Sequence, residues 1–329
     1  MKNVPRVLFV IPGAAMGHSM VFARRQAEAL IQQRIRVEVF HLRSRTSWRV
    51  LIREFRRFRQ VIRTIRPQIV HAQYGTATAM FAALGAGRIP LVITYRGSDL
   101  NRSRSGSGPR EFTGRILSQL AALRAARIVC VSRRLKHLLW WRQARTVVLP
   151  SGVDADLFRP RPRSTLREGL GWAEQDRVVL FNTGRDPLNK RLDLAQDAVQ
   201  EARQCTPSIR LEVLDGSVDP SCVPAMMNAA DCLLVTSDLE GSPAIVQEGL
   251  ATNLPVIGVD VGDIAERLEG VEFSYVTERD PRALGHALAE VLNPPRRSNG
   301  RRKVGEFSCT AIARKLGKLY GEILRERSR

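Results

Sequence analysis

TVVLPSGVDADLFRPRPRSTLREGLGWAEQDRVVLFNTG, residues 146–184, sets two apolar runs on either side of a stretch rich in Pro and Arg. TVVLPSG (146–152) reads as the last strand of one series, and RVVLFNTG (177–184) as the first of a second. FRPRPRSTLREGLG (158–171) reads as the linker between them. Upstream, VLFVI (7–11), VEVFHL (37–42), IVHA (69–72), LVITYR (91–96) and RIVCVS (127–132) read as strands. Helical segments separate them: FARRQAEALIQQ, the Trp48–Arg66 stretch, TATAMFAALGAG and ILSQLAALRAA. Downstream, IRLEVLDG (209–216), CLLVTSD (232–238), LPVIGVD (254–260) and a weaker VEFSYV (271–276) repeat the pattern. Strand alternating with helix implies a parallel sheet covered on both faces. The expectation is an α/β protein of two doubly wound, Rossmann-like domains facing a central cleft, 1–160 and 161–308, with a last helix over 309–329. Ligands of such sheets bind beyond the carboxyl ends of the strands.

The 329 residues are 44% apolar and 26% charged, a globular composition long enough for two domains. No stretch approaches the roughly 20 apolar residues that span a bilayer. The start, MKNVPRVLFVIPGAAMG, has the basic tip and apolar run of a secretory signal, but Pro12-Gly13 breaks the run early, so a buried first strand is the expectation. Five cysteines without CxxC spacing point to a reducing compartment and give no zinc signal. The net charge of +20 is unevenly spread. Residues 1–165 carry 31 Lys/Arg against 7 Asp/Glu, and residues 166–329 carry 21 against 25. A field of that kind favours an anionic partner: nucleic acid, an anionic membrane or a phosphorylated substrate.

Three strand-end loops carry chemistry. In EGSPAIVQEGLA (240–251), Glu240 precedes a helix and Glu248 lies about a turn and a half into it. Ser242 suits the N-cap and Pro243 the first helical position, so the helix start can bind an anion. In TGRDPLNKR (183–191), Arg185 and Lys190 stand across a turn, a planar fork and a mobile point charge for phosphate oxygens. In IPGAAMGHS (11–19), Gly13 and Gly17 allow close backbone approach, although the loop is not the GxGxxG dinucleotide fingerprint.

Five segments in this order resemble the family-four retaining glycosyltransferases, glycosyl transferases group 1, of GT-B fold. EGSPAIVQE matches their Glu-x7-Glu signature, GRDPLNK their phosphate turn, and VGDIAE (261–266) the Gly-rich turn after the next strand. PSGVDADLFRP and RGSD match two further family segments. The resemblance implies a nucleotide-diphosphate sugar donor on the second domain, an acceptor on the first, and a C-terminal helix that crosses back to the first domain. Arg185 and Lys190 would neutralise the diphosphate, Glu248 would accept from the ribose, and Glu240 with the backbone of Ser242, Pro243, Ala244 and Ile245 would hold the donor sugar. Lys190, Arg185 and Glu240 would be the catalytic groups, with Gly17 beside the donor. No metal and no cofactor beyond the sugar nucleotide is implied. Two departures stand out. Arg96 occupies the place where the family has a histidine before Gly-Ser-Asp, which leaves His18, His71, Arg96 and Asp99 as candidate donor-sugar or acceptor contacts. The stretch between Asp215 and Asp231 is short for the family, which opens the base pocket.

The surplus charge concentrates in WRVLIREFRRFRQVIRTIR (48–66), where Leu51, Phe55, Phe58, Ile62 and Ile65 form one helix face and arginines fill the rest. Trp140 and Trp141 beside basic residues suit a membrane interface. The expectation is a cytoplasmic enzyme, peripheral to the inner membrane face, acting on a glycan or lipid-linked acceptor with no nucleic-acid partner. The alternatives are a nucleic-acid-binding protein, suggested by the basic half, and a sugar-nucleotide epimerase or hydrolase of the same fold.

Overall fold

The computed structural model describes residues 4–14, 20–44, 47–102, 108–184 and 186–327. The chain forms two compact units, residues 1–152 with 309–329, and residues 153–308. The first opens with β1 (Arg6–Pro12), α1 (Val21–Gln32), β2 (Arg36–Leu42), α2 (Trp48–Ile65), β3 (Ile69–Ala72) and α3 (Thr76–Gly85). It continues with β4 (Leu91–Tyr95), α4 (Pro109–Arg124), β5 (Arg127–Cys130), α5 (Arg133–His137) and β6 (Thr146–Val148). All strands are parallel, in the order β2-β1-β3-β4-β5-β6. β3 and β4 are buried along their whole length, as a sheet covered on both faces requires.

The second unit holds α6 (Arg163–Leu170), β7 (Arg177–Asn182), α7 (Pro187–Lys190), α8 (Leu192–Arg203), β8 (Ile209–Leu214), α9 (Val223–Ala229), β9 (Cys232–Val235) and α10 (Ala244–Ala251). After them come β10 (Val256–Val259), α11 (Ile264–Leu268), β11 (Tyr275–Thr277), α12 (Pro281–Leu292) and α13 (Val304–Phe307). Its sheet is again fully parallel, β11-β10-β9-β7-β8. Each sheet reverses direction once, beside its first strand: between β1 and β3, and between β7 and β9. Those two reversal points are where a doubly wound sheet opens a crevice at its carboxyl edge. α14 (Cys309–Arg327) follows and packs in the first unit. Its Ile312, Leu316, Tyr320 and Ile323 share a core with Phe9, Ile69 and Val92.

Two elements differ from the sequence reading. The stretch read as a linker contains α6, held by Arg167, which is fully buried. Its guanidinium donates to Asp231 Oδ2 at 2.7 Å and to the carbonyls of Ala229, Ala173 and Asp176. The Glu174 carbonyl also accepts from it, at 3.2 Å, and five hydrogen bonds to one carboxylate and four carbonyls make a charged residue an internal strut, so the boundary between units falls at Gly152, ahead of the Pro-rich run. The last strand shrinks to Tyr275–Thr277, because Phe273 takes a left-handed φ of 55° that no strand tolerates.

Candidate functional site

At the reversal point of the second sheet, two loops leave the carboxyl ends of β7 and β9. The β7 loop turns through Gly184, at φ 50°, and Asp186 then caps α7 by accepting from the Asn189 amide at 3.2 Å. A single helical turn follows and stops at Arg191, whose φ of 56° is left-handed. This turn is stitched to the chain after β9. The Asp238 amide donates to Asn189 O at 2.8 Å, Asn189 Nδ2 donates to Leu239 O at 3.1 Å, and Thr236 Oγ1 donates to Lys190 O at 2.8 Å. Lys190 Nζ is thereby brought against Glu240 Oε1, an ion pair whose side chains are 20% and 13% exposed. Asp238 lies alongside, with Arg279 at 3.1 Å and Arg191 at 3.4 Å.

Glu240 leads into Gly241, Ser242 and Pro243, and the next loop buttresses this segment. Ser242 Oγ donates to Asp263 Oδ2 at 2.8 Å and accepts from Gln247 Nε2 at 2.9 Å. Arg267 Nε donates to the same Asp263 oxygen at 2.8 Å. Asp263 is 3% exposed, and burial holds its carboxyl above the ordinary carboxylate range although Arg267 and Ser242 pull it down. Gly262 makes the contact geometrically possible. Its φ is +63°, and a Cβ there would sit 3.0 Å from Gly241 O and 3.1 Å from Glu240 Cβ. The Ser242 hydroxyl is thus committed to Asp263 and does not cap α10; Pro243 takes the cap position and Ala244 begins the helix. Ala244 is exposed while Ile245 is buried, so at this helix end the chain offers backbone N–H groups more than side chains. Glu248 lies one turn into α10, half-buried.

Of the donor-side residues read from the sequence, Lys190, Glu240, Ser242, Pro243, Ala244, Ile245 and Glu248 occupy this one region. Arg185, Gly17 and His18 lie outside the described residues. Asp263, Gln247 and Arg267 were not singled out by sequence reading, although Gln247 stands inside EGSPAIVQE and Asp263 inside VGDIAE. Their signal was a polar residue in an otherwise apolar segment.

The first unit uses its candidates internally. His71 is fully buried on β3, with Nδ1 2.6 Å from Tyr320 Oη and Nε2 2.7 Å from Thr94 Oγ1. Gln73 Oε1 accepts from Arg96 at 2.5 Å, which turns the Gln73 amide nitrogen toward His71 Nδ1 at 3.3 Å. Nδ1 therefore accepts, and Nε2 carries the proton to Thr94. Burial, with Arg96 nearby, drives the imidazole down to about 3, so it is neutral. Asp99 is also fully buried and accepts from the amides of Arg96, Gly97 and Gly75 at 2.9–3.0 Å. Arg96 donates to Gln73 O and Ser151 Oγ and lies over the Phe22 ring at 4.1 Å. His71 and Asp99, read as candidate ligand contacts, are tied internally and fix the loops after β3 and β4. Every polar atom of His71 is already matched within the fold, and Arg96 has most of its donors engaged there.

Among the described residues no helix is long and apolar enough to cross a membrane. Residues 14–157 match the Glycosyltransferase Family 4 family, and residues 173–294 match Glycosyl transferases group 1. The chain is 24% identical over 249 residues to TuaC of Bacillus subtilis, a protein named as a teichuronic acid biosynthesis glycosyltransferase. That match covers 69% of this chain and 61% of the relative, so the chain spans about three fifths of that relative's length. Among solved structures, the sucrose-phosphate synthase of Thermosynechococcus elongatus superposes with a TM-score of 0.77 at 17% identity, covering 98% of this chain and 100% of the other. Anabaena HepE, solved with UDP and glucose, gives 0.76 at 18% identity over 97% and 100%. At these identities the superpositions establish the fold, two parallel sheets with flanking helices of the GT-B kind.

Proposed function

Because the chain belongs to the family-four, group 1 glycosyltransferases, we propose that it transfers a sugar, with retention of anomeric configuration, from a nucleotide-diphosphate sugar held by the second unit. The observation that carries the reading is the Lys190–Glu240 pair at the β7/β9 reversal point, beside the start of α10. Without ligand, each charge neutralises the other. A diphosphate draws the ammonium to itself, since two phosphates outweigh one carboxylate, and frees Glu240 to accept from sugar hydroxyls. Lys190, with Arg185 of the same GRDPLNK segment, then stabilises the charge that develops on the leaving diphosphate, without a metal. The first-turn N–H groups of α10 add partial positive charge at the same end. Glu248 accepts from the ribose.

The acceptor reading rests on charge: a lipid-linked or polysaccharide-precursor acceptor at an anionic, cytoplasmic membrane face suits a first half with 31 Lys/Arg against 7 Asp/Glu. The name of the TuaC relative points to the same class of product. A thermal-shift screen against a panel of sugar nucleotides tests the donor reading. Stabilisation by at least one sugar nucleotide is expected, lost in Lys190→Ala and weakened in Glu248→Ala. No shift from any donor, or shifts that survive Lys190→Ala, would refute it.

A further inference from the structure

α2 is amphipathic in an unusual way. Trp48, Ile52 and Phe55 follow each other at four and three residues, one stripe of the helix. Arg49, Arg53 and Arg56 follow each other at the same spacing, one residue on, and so form the adjacent stripe; all three are exposed. The only acid of α2, Glu54, is 1% exposed and is already held by Arg57 at 2.5 Å. The arginine stripe therefore meets no acid from its own helix.

The apolar stripe does not close onto its neighbour. α3 approaches α2 tightly at one end, where a Cβ on Gly85 would meet the Phe58 ring at 2.6 Å. Towards the start of both helices they part and leave a groove of about 460 Å³, lined on one side by Ile52 and Phe55 and on the other by Met80, Phe81 and Leu84. Arg56 stands on its rim. Ile52 and Leu84, both lining the groove, remain 47% and 68% exposed, and Trp48, one turn before Ile52 on α2, 66%, unusual values for apolar side chains.

We propose that this groove binds one hydrocarbon tail of an anionic lipid, with Arg49, Arg53 and Arg56 on the headgroup phosphate. The inference rests on the lipid-acceptor part of the proposed function and deepens it. Charge and size select the occupant. The groove is apolar inside and cationic at the rim, the inverse of an anionic amphiphile. At about 30 Å³ per water-sized group it has room for roughly ten to fifteen methylene-sized groups. A protein partner would need on the order of 800 Å² of matching surface on this side, more than one such slot provides. A second copy of the chain would set the same arginine stripe against itself.

The test uses the full chain, without sugar nucleotide, so that it succeeds or fails apart from donor binding. Binding of lysophosphatidylglycerol below its micelle concentration is measured by calorimetry, with Trp48 fluorescence as a second readout. Glycerol phosphate serves as the tail-less control and lysophosphatidylcholine of equal tail as the zwitterionic one. Saturable binding of the anionic lysolipid is expected, with weak binding of both controls. Leu84→Glu, at an exposed position, and Ala77→Trp, which fills the groove, should each weaken it by about tenfold, the loss of burying roughly two methylene groups. Arg53→Glu with Arg56→Glu should remove the preference for the anionic headgroup. Equal binding of glycerol phosphate and lysolipid would overturn the proposal, as would groove variants that bind like the parent. Self-association of the parent that Leu84→Glu abolishes would also overturn it, by assigning the groove to a second copy.

Discussion

The buried His71–Tyr320 bond should make the seating of α14 sensitive to acid. The imidazole falls from an ordinary 6.5 to about 3 in the folded protein, so it is neutral there and charges readily only when exposed. A group whose folded value is depressed stabilises the fold above its unfolded pKa and loses that contribution as pH falls through the window, here from 6.5 downward. Between pH 7 and pH 5 the loss amounts to about 2 kcal/mol, or about 30-fold in an opening equilibrium. Opening α14 uncovers His71, because Tyr320 supplies one of its two hydrogen-bonding faces. Amide hydrogen exchange across residues 309–327, corrected for intrinsic rates, should show that loss of protection in the parent. His71→Gln, which cannot charge, should be less stable at pH 7 but show little further loss at pH 5. Equal pH sensitivity in parent and variant would refute the assignment and place the acid-labile group elsewhere.

Other perturbations probe the remaining supports. Asp263→Ala should cost about 3 kcal/mol, because it leaves Arg267 partly buried without its carboxylate and unties Ser242; lowered melting together with weaker sugar-nucleotide binding would be seen, and unchanged donor affinity would disconnect the buttress from the site. Glu240→Gln should preserve the fold and lower turnover more than donor affinity, measured by steady-state kinetics once a donor is known. Arg167→Met should destabilise the second unit by about 3 kcal/mol, the low end for a broken buried pair because Arg163 also reaches Asp231 at 2.7 Å; a urea midpoint unchanged from the parent would contradict the strut. Gly85→Ala should cost about 1–3 kcal/mol through overpacking on Phe58, read from the melting of the first unit.

The strands were legible because buried parallel strands are short apolar runs, and IVHA, LVITYR and CLLVTSD carry that signal without help from context. The donor-side residues were legible because strand-end loops keep their polar side chains clear of the apolar pattern. Three things were not. Arg167 looks like solvent-facing charge, and only the Asp231 carboxylate arriving from 64 residues away turns it inward. His71 and Asp99 sit at strand ends as ligand residues do, but their partners Tyr320, Gly75 and Arg96 come from distant segments that no local spacing announces. Ser242 fits a helix cap until Asp263 claims its hydroxyl, and the competing acceptor stands 21 positions on.

The first unit is assembled from two separated stretches of chain, while the second is continuous. During synthesis, at about 5–20 residues per second, every residue of the inner unit is made before α14. The outer unit must wait, its β1, β3 and β4 core facing water where Ile312, Leu316 and Tyr320 belong. A ribosome that stalls after Ser308 would therefore release a molecule with a finished inner half and an outer half still lacking its closing helix, a species that proteases and chaperones would meet first at the end made earliest.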